Sequence, residues 1–293
     1  MLDKTVSIII VNYNSGDYLR RCLHSVREQT LQDYEVIIVD NASNDGSLSG
    51  ISEFDEPIVV HNSANLGFAR AQNQGMALAR GRYLMPLNFD IVMTPTFLEK
   101  MVAAIEIAGD VGSVSGKLLT MLPDGTKTDR IYSTGHLLPT NRFPLLRGQN
   151  ESDRGQYDKI EVVFGTPGAA PLYRREMLDD IAYNSQYFDE SFFTWCEDVD
   201  LDWRAQLRGW KCIYTPYAVA YHVGHQESDF QDAFRTFRAG VTIRNRWKMI
   251  LANDSGRDLW RNWLPLTCYE LSLVRYVVTA GLVRAYLWAV WSC

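Results

Sequence analysis

Three groups of residues in this 293-residue chain have the types and spacing to do chemistry. The first is Asn12-Tyr13-Asn14 with Asp40, each placed directly after a run of β-branched residues. A carboxylate at a strand end can accept the N3–H of a pyrimidine, and a ring such as Tyr13 can stack on that base. Asp40 can equally cap its own turn, which runs to Gly46. The second group is Asn65-Leu-Gly67, Arg70 and Asn73, which precede and open a helix. A helix N-terminus beside an arginine suits a diphosphate. Asn73, one turn further on, can instead be a packing residue. In the third group, Glu197-Asp198 starts another helix and Asp200 and Asp202 follow. A carboxylate set beside a hydroxyl removes its proton as a bond forms. Acids in a first turn are also favoured by the helix macrodipole. Residues two apart on a helix do not share a face, so the four acids cannot all enter one site.

These groups need elements to hold them. Residues 6–11 and 35–40 are apolar at nearly every position, as in strands buried on both faces of a parallel sheet. Residues 57–60, 83–87 and 111–114 read as further strands. Helical spacing runs from Leu19 to Gln29 and from Phe68 to Arg80, and Thr94 caps a helix with Pro95 in its first turn. Strand, loop and helix alternate at least four times, which predicts an open, mostly parallel α/β sheet. Ligands of such sheets sit at the carboxyl ends of the strands, where Asn12, Tyr13, Asp40 and Asn88-Phe-Asp90 lie.

Beyond Gly116 the periodicity weakens. Pro123-Asp-Gly125 is a hairpin-like turn, and residues 139–160 read as a polar, irregular, mobile loop. A helix starts at Arg174, another spans 197–208, and residues 211–214 and 218–222 read as two short strands. No repeat or low-complexity segment is present. The chain lacks G-x-G-x-x-G and GxxxxGK[ST], which disfavours a dinucleotide-binding Rossmann enzyme and a P-loop NTPase.

Composition narrows the class. The hydrophobic share of 46% and charged share of 22% are those of a globular chain, not of a disordered or fibrous one. A net charge of −6 argues against nucleic acid held over the whole surface. Five cysteines without C-x-x-C spacing read as reduced thiols of a cytosolic protein. The N-terminal residues lack the features of a signal peptide, and no uninterrupted apolar run is long enough for a clean spanning helix.

The order of motifs resembles the family 2 glycosyltransferases of the GT-A fold. The resemblance rests on Val6 to Asn14, Val39-Asp-Asn-Ala-Ser-Asn-Asp-Gly46, Asn65-Leu-Gly-Phe68, Asn88-Phe-Asp90 and Trp195-Cys-Glu-Asp-Val-Asp200, and covers roughly residues 5–225. It implies one GT-A (Rossmann-like) domain with a nucleotide-sugar half, 1–115, and an acceptor half, 116–230, followed by a helical extension, 231–293. It implies that Asn12, Tyr13, Asn14, Asp40, Asn65, Gly67, Arg70, Asn73, Asn88 and Asp90 meet the nucleotide or donor. Asn88-Phe-Asp90 stands at the place of the family's metal-binding Asp-x-Asp, with Asn for the first acid. By resemblance Asp90 and His222 hold Mg²⁺ or Mn²⁺, His225 being a weaker match, although a lone His can also be a core or surface residue. Asp198 is then the base and Glu197 its neighbour. Gly168, Ala169 and Trp195 lie near the donor sugar and acceptor, the first two within a segment that is otherwise a tight turn.

The family works by single displacement, which implies inversion at the anomeric carbon. Members of this length with Asn-x-Asp resemble rhamnosyltransferases of cell-surface polysaccharide assembly, which puts dTDP-L-rhamnose first as donor and UDP-sugars second. A saccharide or polyprenyl-linked acceptor is expected, chosen by residues 116–190. The alternative is a non-catalytic homologue that binds nucleotide or glycan during assembly. A nucleotidyltransferase is disfavoured, because its Gly- and Arg-rich first loop is absent.

Charge is unevenly spread. Residues 233–293 carry +6 and five of the eight Trp, while residues 1–232 carry −12. Pro265 interrupts this tail, and Glu270, Arg275 and Arg284 make a spanning helix costly. An interfacial helix on an anionic membrane, a helical lid on the core or a homodimer interface are the readings it allows. The corresponding location is cytoplasmic, peripheral on the inner face of a bacterial plasma membrane.

Overall fold

The runs of Val and Ile form the centre of the sheet. The structure is a computed structural model that describes residues 3–54, 57–224 and 232–292. In its first half, β1 (Lys4–Asn12), α1 (Tyr18–Arg27), β2 (Tyr34–Asp40), β3 (Ile58–His61), α2 (Phe68–Leu78), β4 (Gly81–Asn88), β5 (Ile91–Met93) and α3 (Phe97–Ile105) follow one another. Then come β6 (Val111–Met121), β7 (Lys127–Ser133), β8 (His136–Leu137), β9 (Leu145–Leu146), β10 (Glu161–Val163), β11 (Leu172–Arg174), α4 (Arg175–Ile181), α5 (Glu197–Leu207) and β12 (Lys211–His222). The chain ends in α6 (Asp232–Asn253), α7 (Gly256–Arg261), α8 (Trp263–Thr279) and α9 (Val283–Trp291).

Among the described residues ten strands join in one sheet, with the path β10-β12-β6-β11-β4-β1-β2-β3 and with β5 and β7 flanking β12 and β6. The strands β3, β2, β1 and β4 run parallel, as do β6 and β12, while β11 lies antiparallel between β4 and β6. In β1, Ile8 and Ile10 pack with α1 and α3 on one face, and Ile9 packs with α2, α4 and α5 on the other. This two-sided burial is why the strand is apolar at consecutive positions.

Four local expectations change. Thr94 does not cap α3. Its hydroxyl donates to the Val219 carbonyl at 2.7 Å, and the helix begins at Phe97. Residues 211–222 form one strand, not two, with a register shift between Thr215 and Val219. Pro216 has no N–H for the ladder, so β12 bulges past it. The fifth strand runs on to Met121, so the division at 115–116 falls inside β6 and both halves share one sheet. Residues 139–160 are fastened by specific bonds. Buried Lys117 pairs with Asp153 at 2.8 Å and Asp158 at 2.7 Å, and Arg142 pairs with Asp254 at 2.7 Å.

The helical extension is docked against α5 and the segment before it. Met249 of α6 packs with Phe192, Val199 and Trp203, and Asn253 donates to Asp200 at 2.7 Å. Ile243 of α6 packs with Val277, Leu282 and Ala289 of the last two helices and the turn between them. Among the described residues no helix is long and apolar enough to cross a membrane.

Candidate active site

At the carboxyl end of the sheet, β1 and β2 bring Asn12 beside Asp40 in register. Asn12 is fully buried, and its amide donates to Asp40 Oδ1 at 2.9 Å and to the Ser43 and Ser47 hydroxyls at 3.0 Å. It therefore shapes the 43–47 loop and aims Asp40 instead of meeting a ligand itself. Asn14 is exposed and also serves the loop, its side-chain oxygen accepting from the Asn44 amide at 2.9 Å. Asp40 caps its turn, its Oδ2 accepting from the Ser43 amide at 3.2 Å, and His61 Nδ1 lies 3.9 Å from the same oxygen. Tyr13 stays 45% exposed at the strand end, free to stack on a planar group.

The 65–73 motif is brought to a different neighbour from the one expected. The Gly67 amide donates to Asn65 Oδ1 at 2.9 Å, and Gly67 adopts φ 85°. A Cβ at Gly67 would come within 2.5 Å of the Phe193 ring, so the close approach itself requires glycine. The Ala69 amide, in the first turn of α2, is taken by the Phe193 carbonyl at 3.2 Å. Asn73 holds the Phe188 carbonyl at 2.8 Å and the Phe188 amide at 3.0 Å. Arg70 is exposed and lies 3.6 Å from Glu190. Gly67 and Asn73 thus brace the 186–196 segment, the lead into α5.

On the other side of β1, β4 ends at Asn88, whose amide donates to the Ala169 carbonyl at 2.8 Å. Asp90 Oδ1 lies 3.1 Å from His222 Nε2 at the end of β12, and Asp90 Oδ2 accepts from the Gly224 amide at 3.0 Å. His222 is 3% exposed, and its Nδ1 is buried without a partner among the described residues. A carboxylate oxygen and an imidazole nitrogen at this separation fit two positions of a divalent cation's coordination sphere. Among the described residues no group of three His, Cys, Asp or Glu side chains could hold a metal, so oxygens of a bound ligand or of water would complete the sphere. His225 lies outside the described residues.

The acids of α5 separate as helical spacing demands. Phe193, Trp195 and Cys196 all have positive φ, between 65° and 69°, a conformation that non-glycine residues adopt only when the surroundings impose it. Asn245 of α6 imposes it here, its amide facing the carbonyls of Phe192, Thr194 and Trp195 at 2.7–2.9 Å. The Trp195 ring packs against Phe234 and Phe237 of α6. Asp200 turns to Arg204 and Asn253 and is structural. Glu197 is buried with Oε2 unpaired among the described residues, and burial followed by the charge of Asp198 pushes its carboxyl well above the usual range.

Asp198 and Asp202, one turn apart, share a face. Asp198 Oδ2 accepts from the Gly168 amide at 2.8 Å, and Asp202 Oδ2 accepts from the Thr166 amide at 2.9 Å. Burial raises the Asp202 carboxyl to about 7, against the pull of its histidine neighbour. A Cβ at Gly165 would fall 1.9 Å from Asp202, so this backbone must be bare to approach the helix. Between the two acids lies His136, which sequence reasoning did not find. It sits alone in a stretch without periodicity, and only the fold brings it to α5.

Residues 7–182 match the family described as Glycosyl transferase family 2. The chain belongs to glycosyl transferase family 2. Among its relatives is a putative teichuronic acid biosynthesis glycosyltransferase of Bacillus subtilis, 36% identical over 129 residues, which are 43% of this chain and 51% of that one. Another is a succinoglycan biosynthesis protein of Rhizobium meliloti, 28% identical over 232 residues, covering 74% of this chain and 60% of that one. The chain thus spans less than two thirds of the length of these curated relatives. A mannosyltransferase from Pyrobaculum calidifontis, solved in complex with GDP-Man and Mn²⁺, superposes with a TM-score of 0.60 at 17% identity, covering 98% of this chain and 82% of that one. That likeness shows the fold, which is the GT-A fold expected from the motif order. In this family 2 domain burial, then the charges of Asp90 and Asp198, push the hydroxyl of the partly buried Tyr132 up.

Proposed function

We propose that the chain is an inverting glycosyltransferase that moves a sugar from a pyrimidine nucleoside diphosphate to a hydroxyl of a glycan or polyprenyl-linked acceptor in cell-surface polysaccharide synthesis. The observation that carries this reading is the bond pattern of two consecutive residues. Gly168 donates to Asp198 and Ala169 accepts from Asn88, so the acidic end of α5 and the Asn88-Phe-Asp90 turn are held against one short piece of backbone. Asp40 suits the N3–H of a uracil or thymine, with Tyr13 over the base. Asp198 takes the proton from the acceptor hydroxyl as its oxygen bonds to the anomeric carbon. The bond from that carbon to the diphosphate breaks on the opposite face, which inverts the centre. Asp90 and His222 would hold Mg²⁺ or Mn²⁺, which when bound neutralises charge on the leaving diphosphate.

Calorimetric titration with UDP, dTDP and GDP, with and without Mn²⁺, tests the donor class, and NMR of the product tests the stereochemistry. Metal-dependent binding of dTDP, then transfer from dTDP-L-rhamnose, is expected first, with UDP-sugars second. The mannosyltransferase of similar fold carries GDP-Man, and guanine also offers an N–H to a carboxylate, so selective GDP binding would overturn the pyrimidine assignment. A retained anomeric configuration would overturn the single displacement. Asn88 in place of an acid favours a second reading, a non-catalytic binder, to which nucleotide binding without turnover would point.

The tail supports a site of action at an anionic membrane, on the cytoplasmic face. Trp260, Trp263, Leu271, Leu287 and Trp291 are exposed on α7, α8 and α9, and Arg257, Arg261, Arg275 and Arg284 are exposed on the same helices. Apolar side chains among cations suit the interface of an acidic bilayer, where a lipid-linked acceptor would be met.

A further inference from the structure

The base assigned to Asp198 has a built support. His136 is 4% exposed, with Nδ1 3.2 Å from Asp202 Oδ2 and Nε2 3.7 Å from Asp198 Oδ2. Its backbone amide is anchored to the Gly165 carbonyl at 2.8 Å, in the segment whose Thr166 and Gly168 amides hold the two acids. One ring, two carboxylates and one length of backbone therefore form a closed set. A purely structural histidine needs only its bond to Asp202. The second nitrogen directed at Asp198 is what couples the ring to chemistry.

Resting on the reading of Asp198 as the base, we propose that His136 is a positioning residue: its imidazole orients the Asp198 carboxylate, and Asp202 anchors the ring. Charge reaches the ring from Asp198 and Asp202 on α5, and these two acids raise the imidazole against the opposing effect of burial. Glu197, on the same helix, is kept neutral by burial. Arg147, beside β9, is turned to Tyr157, Tyr214 and Glu161. Raised in this way, the imidazole favours its doubly protonated form, whose second N–H faces Asp198.

The test is His136→Gln, made alone and in the Asp198→Asn background, with NMR of the imidazole as a readout that needs no turnover. The variant is expected to lose about 10- to 100-fold in kcat at pH 7 while the donor KM stays within about twofold. In the Asp198→Asn background His136→Gln should cost nothing more. The imidazole should titrate above the ordinary histidine value in the unaltered protein, and its titration midpoint should fall in Asp198→Asn. An additive loss in the double variant, or an imidazole midpoint insensitive to Asp198→Asn, would each overturn the proposal. If the unaltered protein transfers sugar from no donor, the assignment of Asp198 falls, and the imidazole titration still decides whether His136 and Asp198 are coupled.

Discussion

At the scale of single residues, Glu197 gives the clearest pH signature. Burial, then the charge of Asp198, sets its folded-state carboxyl well above the ordinary glutamate value, so this group stabilises the fold fully below that ordinary value and the contribution is lost as pH rises through the raised one. Glu197→Gln removes the titration. The thermal midpoint of the variant should therefore gain on that of the unaltered protein as pH rises from about 4 to about 8, and a gap that does not change with pH would contradict the buried neutral acid. Asp198→Asn should lower kcat by about 10²- to 10⁴-fold, the usual share of a general base, with nucleotide affinity unchanged by calorimetry. Both acids were legible because two carboxylates open a helix after Trp195-Cys196. Asp40 was legible because it ends a strand, and Asp90, in the turn after β4, and His222, at the end of β12, through the order of the family's motifs. His136 was not, since one histidine in an aperiodic stretch has no pattern to stand out from. The partner of Asn73 was equally hidden, for the sequence gives no sign that residue 188 lies beside it.

At the scale of elements, α6 acts on the site without lining the donor end of the sheet. It fixes the 192–196 segment through Asn245, and that segment sets where α5 begins. Asn245→Ala leaves three carbonyls without this donor and should destabilise the fold by about 1–3 kcal/mol in urea unfolding. It should also lower kcat, because three residues with positive φ lose the contact that imposes their geometry. A variant that unfolds earlier yet turns over normally would separate the brace from the chemistry. The strands of the first half were readable from runs of Val and Ile, since burial on both faces leaves no room for polar residues. The second half was harder. Strand β12 crosses its own proline through a bulge, and residues 139–160 are polar because ion pairs with Lys117 and Asp254, not apolar packing, hold them down.

At the scale of the whole molecule, an acidic catalytic body carries a basic, tryptophan-rich tail. Vesicles of anionic lipid should sediment with the full chain, and the bound fraction should fall as salt rises past about 0.15 M, where the Debye length is about 8 Å. Replacing Arg257, Arg261, Arg275 and Arg284 together by Gln should have the same effect as salt. No binding at low salt, with a dimer seen by ultracentrifugation, would assign the exposed face to a second copy instead. The charge division was plain in the sequence. That α6 is built into the catalytic body, leaving α7 to α9 to present the exposed face, was not, because the amphipathic pattern of α6 does not say which body covers it.

The tail also makes the protein its own optical reporter. Trp260 and Trp291, 77% and 94% exposed, emit into water, whereas Trp203 is buried beneath α6. Transfer of those outer indoles into acyl chains would shift the emission to shorter wavelength with no label attached. Arrival at a bilayer and the chemistry that follows could then be timed in a single stopped-flow trace.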